Sequence, residues 1–263
     1  MLLALFSTFE VMRKIIYFAM VLLSLAFITG CRSTRSGTEN PENMPALIVK
    51  KVVFECTKPS VAEVAAMFDR EKIAFHYIDV INWERYNYKP DVKFRIAHSA
   101  EEIYIQYVVK EEGVRATFGY DAGSKPYTDS CVEFFMIPSD KDSIYYNLEM
   151  NCIGHGTFAG GPDRKQRTRF GDDVISQIRR HSTLGCEPFG DLPGQHEWTL
   201  TLAIPKSIYS LSEFSDLSGR TVMANFYKCG DDMAVPHYLS WHPIPIPSPN
   251  FHTPEHFGQI FFE

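Results

Sequence analysis

Two carboxylates in a run of aromatic residues are the first groups in this sequence that could do chemistry. In Ser130-Cys131-Val132-Glu133-Phe134-Phe135-Met136, alternation at period two puts Val132, Phe134 and Met136 on one face and Cys131, Glu133 and Phe135 on the other. In Ile144–Asn151, the same alternation sets Ile144, Tyr146, Leu148 and Met150 against Tyr145, Asn147, Glu149 and Asn151. If the two segments pair, Glu133, Asn147, Glu149 and Asn151 form a polar stripe on one sheet face. Such a stripe suits two chemistries. Two carboxylates roughly 5–9 Å apart can flank a glycosidic bond as acid and nucleophile or base. The same groups can instead accept hydrogen bonds from sugar hydroxyls while aromatic rings cover the apolar faces of the sugar. A solvated sheet face is the plain alternative.

Other motifs carry less. Gly154-His-Gly156-Thr-Phe-Ala159 matches a dinucleotide fingerprint in form, but Gly160-Gly161-Pro162-Asp163 follows where a helix would have to begin. The expectation there is a mobile loop. His252 and His256 stand four apart with Pro254 between them, which opposes a regular helix carrying two metal ligands. No G-x-S-x-G elbow, Walker lysine or His-Glu-x-x-His is present.

The elements that must position these residues read as strands. Candidates are Ala46–Phe54, Val92–Ala97, Ile103–Val109, Arg115–Tyr120, Ser130–Ile137, Ile144–Asn151, Glu197–Ile204, Thr221–Lys228 and Gln259–Phe262. Turn signals separate them at Glu112-Gly113, Asp121-Ala-Gly123, Pro138-Ser-Asp140, Asp191-Leu-Pro-Gly194 and Ser218-Gly219. Helical spacing is confined to Val61, Val64, Ala65 and Phe68 after Ser60, and to Val174, Ile175 and Ile178 after Asp172-Asp173. Many strands without strand–helix alternation predict an all-β fold, an antiparallel β-sandwich with one or two short peripheral helices.

The 263 residues hold 26 Lys+Arg against 32 Asp+Glu, a formal charge of -6, with no sustained basic stripe, which argues against a nucleic-acid partner. At 45% hydrophobic and 14% aromatic residues the chain can bury a core without many disulfides. Ile15–Thr29 is an apolar run preceded by Arg13-Lys14 and too short to span a membrane, so residues 1–30 are expected to be a signal peptide, with Met12 the better initiator. The run ends in Ile28-Thr29-Gly30-Cys31, which resembles the bacterial lipobox and marks Cys31 for lipidation. Residues 31–45 read as a flexible tether and 46–263 as one domain. Five further cysteines, Cys56, Cys131, Cys152, Cys186 and Cys229, include no C-x-x-C pair. Export permits one or two disulfides, with no pairing specified.

Longer stretches resemble a known family. Tyr127-Thr-Asp129-Ser130-Cys-Val-Glu133-Phe-Phe is similar to the aromatic-x-x-Asp-Ser-Val-Glu-x-Phe segment of family nine carbohydrate-binding modules. Ser240-Trp241 … Asn250-Phe251-His252-Thr253-Pro254-Glu255-His256-Phe257-Gly258 resembles that family's closing motif, and Tyr145–Gly154 and Ala224–Lys228 fit between them. The resemblance covers about Val92 to Glu263. It implies a non-catalytic β-sandwich that holds glycan ends between two aromatic rings, with Tyr127 and Phe251 as walls and Glu133 as the hydroxyl-binding acid. Both walls are usually Trp in the family, and no basic residue stands at Tyr146, where members can carry one. Proline stiffening supports the walls independently: Tyr127 follows Pro126, and Phe251 sits between Pro249 and Pro254.

Asn147, Glu149 and Trp241 complete the expected carbohydrate site. Asp129 either closes a turn or holds a structural calcium ion, which some members bind; no other cofactor is expected. The sequence thus reads as a lipid-anchored, glycan-capturing protein on the bacterial outer membrane, facing the periplasm or the cell exterior. Its partners are then an oligosaccharide or polysaccharide, the membrane through the anchor and, in addition, other envelope proteins. The competing readings are a glycoside hydrolase using Glu133 and Glu149, and a structural or assembly lipoprotein that binds a protein partner.

Overall fold

A computed structural model of the chain describes residues 44–139, 141, 143–213 and 216–263. The expected signal peptide, Cys31 and all but the last two residues of the tether lie outside the described residues. Fourteen strands run β1 Leu47–Lys51, β2 His76–Tyr77, β3 Val80–Ile81, β4 Asp91–His98, β5 Glu102–Ala116, β6 Cys131–Ile137, β7 Tyr145–Asn151, β8 Gly156–Gly161, β9 Thr168–Arg169, β10 Arg179–Ser182, β11 Phe189–Pro205, β12 Thr221–Cys229, β13 Tyr238–Ser240 and β14 Gly258–Phe262. Among the described residues the α-helices are α1 Val61–Arg70 and the single turn α2 Asp172–Ile175.

The strands form two layers that meet at β1. One follows the order β10-β11-β5-β4-β1, with β2 added to β4; the other follows β1-β14-β12-β6-β7-β8-β9, with β13 and β3 beside β12. β1 joins the layers by pairing in parallel with β14 through Leu47–Val49 and with β4 through Lys50 and Lys51. Nearly all other pairing is antiparallel, giving the sandwich expected from the alternating strands.

The inner faces bury the apolar half of each alternation. Val132, Phe134 and Met136 of β6 and Tyr146, Leu148 and Met150 of β7 join one interior cluster with Phe94, Ile96, Tyr107 and Leu200 of the opposite layer. Phe94 and Phe226 stack across the layers at 3.7 Å between centroids, and Phe134 stacks on Phe226 at 4.8 Å. Each such buried ring contributes about 1.5–3 kcal/mol through burial alone. Outside the first layer, Val64, Met67 and Phe68 of α1 pack on Ala97, Tyr104 and Ala203. Ser60 caps this helix in a reciprocal box: its hydroxyl accepts from the Glu63 backbone N–H, and the Glu63 carboxylate accepts from the Ser60 backbone N–H.

Three local expectations are corrected. Glu112-Gly113 and Asp191–Gly194 do not end strands. They lie inside the long β5–β11 ribbon, where register shifts between Phe189, Leu192 and Gln195 absorb extra residues opposite Gly113, at φ +86. The segment read as a mobile loop after Gly154 is strand β8, fully paired with β7. A Cβ at Gly156 would run into the Glu149 carbonyl, so glycine there permits close strand pairing rather than mobility. Among the described residues none of the five cysteines forms a disulfide.

Candidate functional site

The polar stripe forms as the alternation predicts. β6 and β7 pair with Glu133 directly opposite Glu149 and Phe135 opposite Asn147. β8 extends the rows with Thr157 beside Glu149 and Ala159 beside Asn147. This is the outer face of the second layer, but it is not a solvated one. A second aromatic cluster covers part of it: Phe135, Tyr145 and Tyr227 rise from the sheet itself, and Trp83, Phe251 and Phe257 pack with them.

What this cluster leaves open is a cleft of about 240 Å³ floored by Glu133, Asn147, Glu149 and Thr157. That is below the roughly 300–1,000 Å³ of pockets for drug-sized ligands and suits a small unit or the end of a larger chain.

Tyr127 and Phe251 both border the cleft but are unlike walls. Tyr127, in the short turn Pro126–Thr128, is 37% exposed, and its backbone is fixed by a 2.9 Å hydrogen bond from the Asp231 N–H. Phe251 is only 8% exposed: it stacks on Tyr227 at 4.2 Å and 7°, with Trp83 and Tyr238 each 6.2 Å away. Tyr127 therefore offers a free ring face, whereas Phe251 offers little more than an edge.

The floor is a buried polar network. Asn147 Nδ2 donates to Glu149 at 2.9 Å, Arg167 Nη1 donates to Asn147 Oδ1 at 3.2 Å and lies 3.1 Å from His252 Nε2, and the Tyr145 hydroxyl meets His252 Nδ1 at 2.8 Å. Burial raises the pKa of Glu133 well above the usual carboxylate range, reinforced by Cys229 and Glu149. Burial also raises Glu149, against the opposing pull of Arg167 and of the Asn147 hydrogen bond. His252 is driven down to about 3 by burial and by the charges of Arg167, Arg164 and Arg169, so it is neutral at pH 7. The cleft therefore presents carboxyl groups biased towards their neutral form, a neutral imidazole, an amide and guanidinium groups, a set suited to a polyhydroxylated ligand.

Two expected site residues play other parts. Trp241 does not line the cleft. Tyr238 and Ser240 of β13 take the outer side, so Trp241 turns inward and packs edge-on against Phe226 at 6.0 Å and Phe94 at 6.3 Å. Asp129 is fully buried, and both its oxygens are committed to protein donors. Thr117 N and Oγ1, Phe118 N and Asn151 Nδ2 donate to it at 2.8–3.2 Å, and Arg115 Nε lies 3.5 Å away. It ties the loop after β5 to β7 and leaves no oxygen facing a calcium ion.

The one potential metal set among the described residues is Cys131, Glu133 and Cys229, whose ligand atoms all lie within 4.8 Å of one another. Burial pushes Cys131 to about 12 and Cys229 well above its ordinary value, so both are thiols, and Cys229 donates to Glu133 at 3.1 Å. A metal would require their thiolates.

Sequence reasoning did not anticipate Arg164, Arg167, Arg169, Lys125, Asp231, Tyr238 or His252 in the cleft. The available signal was the density of basic residues, Arg164 to Arg169, directly after a glycine-rich segment. With β8 and β9 read as a loop, nothing aimed those residues at the stripe.

A sandwich with a shallow polar cleft on an outer sheet face, rimmed by a free tyrosine ring, defines a class of small-ligand-binding β-domain. Residues 62–262 match the model of carbohydrate-binding family 9, and the chain belongs to that family. It is similar, at 42% identity and a TM-score of 0.79, to a protein of Bacteroides uniformis ATCC 8492 assigned as carbohydrate-binding, over 83% of this chain and 99% of that one. A family 9 module of Caldicellulosiruptor kristjanssonii in complex with glucose shares the fold at 13% identity and a TM-score of 0.52, over 83% of this chain and 96% of that one. The cellotriose complex from the same organism matches at 14% and 0.50, over 83% and 94%. No curated protein matches the chain.

Proposed function

We propose that the chain is a lipid-anchored, non-catalytic carbohydrate-binding protein that captures the ends of glycans in the cleft above Glu133 and Glu149. The carrying observation is the cleft itself: paired buried carboxyls, Asn147 and Thr157 on its floor and the exposed Tyr127 ring at its rim. Tyr127 stacks on a pyranose face, the Phe251 edge closes the far side, and Glu133, Glu149 and Asn147 bind ring hydroxyls. Family membership and the saccharide complexes of the Caldicellulosiruptor module support a sugar as ligand.

The carboxyls favour binding over hydrolysis. Glu133 and Glu149 are cross-strand neighbours, with Cα atoms about 4.5–5.5 Å apart as in any antiparallel pair, and both arise from the same floor. A hydrolase needs its acid and base on either side of the bond and with pKa values pushed apart, whereas burial raises both here. The anchor at Cys31 would hold the domain on the bacterial outer membrane through residues 31–45.

Isothermal titration against a panel of plant, host and bacterial oligosaccharides tests the reading. Binding to at least one, weakened about tenfold or more in Tyr127→Ala, is expected. Silence across the panel, or turnover of aryl glycosides abolished in Glu133→Gln, would overturn it. For the anchor, Cys31→Ala is expected to release the protein from the membrane fraction.

A further inference from the structure

The cleft concentrates positive charge on a protein whose formal charge is -6. Lys125, Arg164, Arg167 and Arg169 line it, against Glu133, Glu149 and Asp231. Burial raises the pKa of all three acids, which weakens their claim on the neighbouring cations. None of the three arginines forms an ion pair among the described residues. Elsewhere the protein does pair its arginines: Arg95 meets Asp69, Arg115 meets Asp191, Arg179 meets Glu102 and Arg180 meets Asp121.

The Arg167 guanidinium is also held in place, and the backbone that carries its neighbours is fixed. Arg167 and Arg169 stand two apart along the β9 edge, so they share one face, and Arg169 is registered opposite Ala159 of β8. The connecting turn is fixed by Asp163, whose carboxylate accepts from the Lys165 and Gln166 backbone N–H groups at 2.7 and 2.8 Å. Arg167 Nη1 is held by Asn147 and His252, while its Nε is buried without a hydrogen-bond partner. A guanidinium that lines the cleft and is held on one side by the protein is a preorganised recognition group for an acceptor.

We propose that the saccharide taken by this cleft is acidic, carrying a carboxylate or a sulfate ester that Arg167 and Arg169 grip while Arg164 and Lys125 supply the surrounding positive field. This rests on the saccharide reading above and specifies its ligand class. Planar, forked guanidinium groups match the oxygens of either anion and do not match a neutral hydroxymethyl group in the same place. An uncharged glycan would leave several cations partly desolvated without compensation.

The test is calorimetric titration of the folded protein with three matched ligands: an oligogalacturonate, the corresponding neutral galacto-oligosaccharide, and its sulfated form. At least one anionic ligand is expected to bind roughly tenfold or more tighter than the neutral one, the scale of a charge-assisted hydrogen bond. Which anionic arm responds distinguishes uronate from sulfate. Added salt should erode that preference and leave neutral binding unchanged. Arg169→Gln, at an exposed position that does not endanger folding, should cut the preference several-fold. Arg167→Gln should abolish it. Equal or tighter binding of the neutral sugar than of both anionic forms would overturn the proposal while leaving a saccharide-binding protein. Binding of no saccharide at all would instead defeat the reading on which it rests.

Discussion

Two of the places where the protein buries acids are treated in opposite ways. Inside the sandwich, Glu111 of β5 faces Lys228 of β12 at 2.9 Å, with both side chains fully buried. Trp198 Nε1 donates to the other Glu111 oxygen at 2.7 Å, and Lys228 donates to His237 Nε2 at 2.8 Å and to the Cys229 carbonyl. On the outer face, Glu133 and Glu149 are also buried, yet their neighbours are another carboxyl, a thiol and an amide, and they open onto a cleft. The inner set has its charges compensated within the protein, so its effect is spent on joining the two layers. The outer set is left with capacity for a further partner. Similar residue types thus serve cohesion in one place and recognition in the other, and the difference lies in who completes the hydrogen bonds.

The largest effect expected from breaking this contrast is on the inner side. Lys228→Ala strands the Glu111 carboxylate inside the sandwich and should cost about 3–5 kcal/mol in urea denaturation. Glu133→Gln should not lower the unfolding free energy and should strike saccharide affinity instead. Near-equal stability losses in the two variants would erase the distinction.

The two cleft aromatics sharpen it further. Phe251→Ala removes a ring stacked on Tyr227 and should cost about 3 kcal/mol of stability. Tyr127→Ala should stay within about 0.5 kcal/mol of the wild type, as expected for an exposed ring. Only the Tyr127 variant would then be a clean binding defect. Asp129 behaves like the inner set. Asp129→Ala orphans the Thr117, Phe118 and Asn151 donors, with an expected loss of about 2–3 kcal/mol, and chelators should leave the wild-type melting temperature unchanged.

The same groups also set a pH dependence. Glu133 and Glu149 have folded pKa values above the ordinary 4.5, so their neutral forms favour folding at low pH. That contribution is fully present below 4.5 and is lost as pH rises toward their folded values. His252 acts oppositely. Depressed from 6.5 to about 3, it favours folding above 6.5, and its contribution is lost as pH falls from 6.5 toward 3. Glu133→Gln should therefore flatten the alkaline decline in stability, and His252→Asn the acid one, in melts taken between pH 3 and 8.

How much of this was legible in sequence follows from periodicity. β6 and β7 alternate without interruption, so the facing of Glu133, Asn147 and Glu149, their separation from Phe134 and Leu148, and their pairing could all be read from residue types. The helix after Ser60 was equally clear, since both halves of its capping box are written in the chain. β8 was opaque because its glycines resemble a loop until the Glu149 backbone beside Gly156 is seen. β9 has two residues and no period at all, which hid the arginines. The motif places Trp241 in the cleft, but one residue beyond β13 its side chain continues the strand's alternation and turns inward. Whether a ring is free or already stacked, the difference between Tyr127 and Phe251, depends on contacts across the fold that local pattern does not carry.

The most direct measurement is a crystal structure of the protein soaked with the tightest-binding oligosaccharide from the titration panel. The account predicts a terminal sugar in the 240 Å³ cleft, its face against Tyr127 and its hydroxyls within hydrogen-bonding distance of Glu133, Glu149 and Asn147. A saccharide bound elsewhere, with this cleft unchanged and occupied only by water, would contradict it.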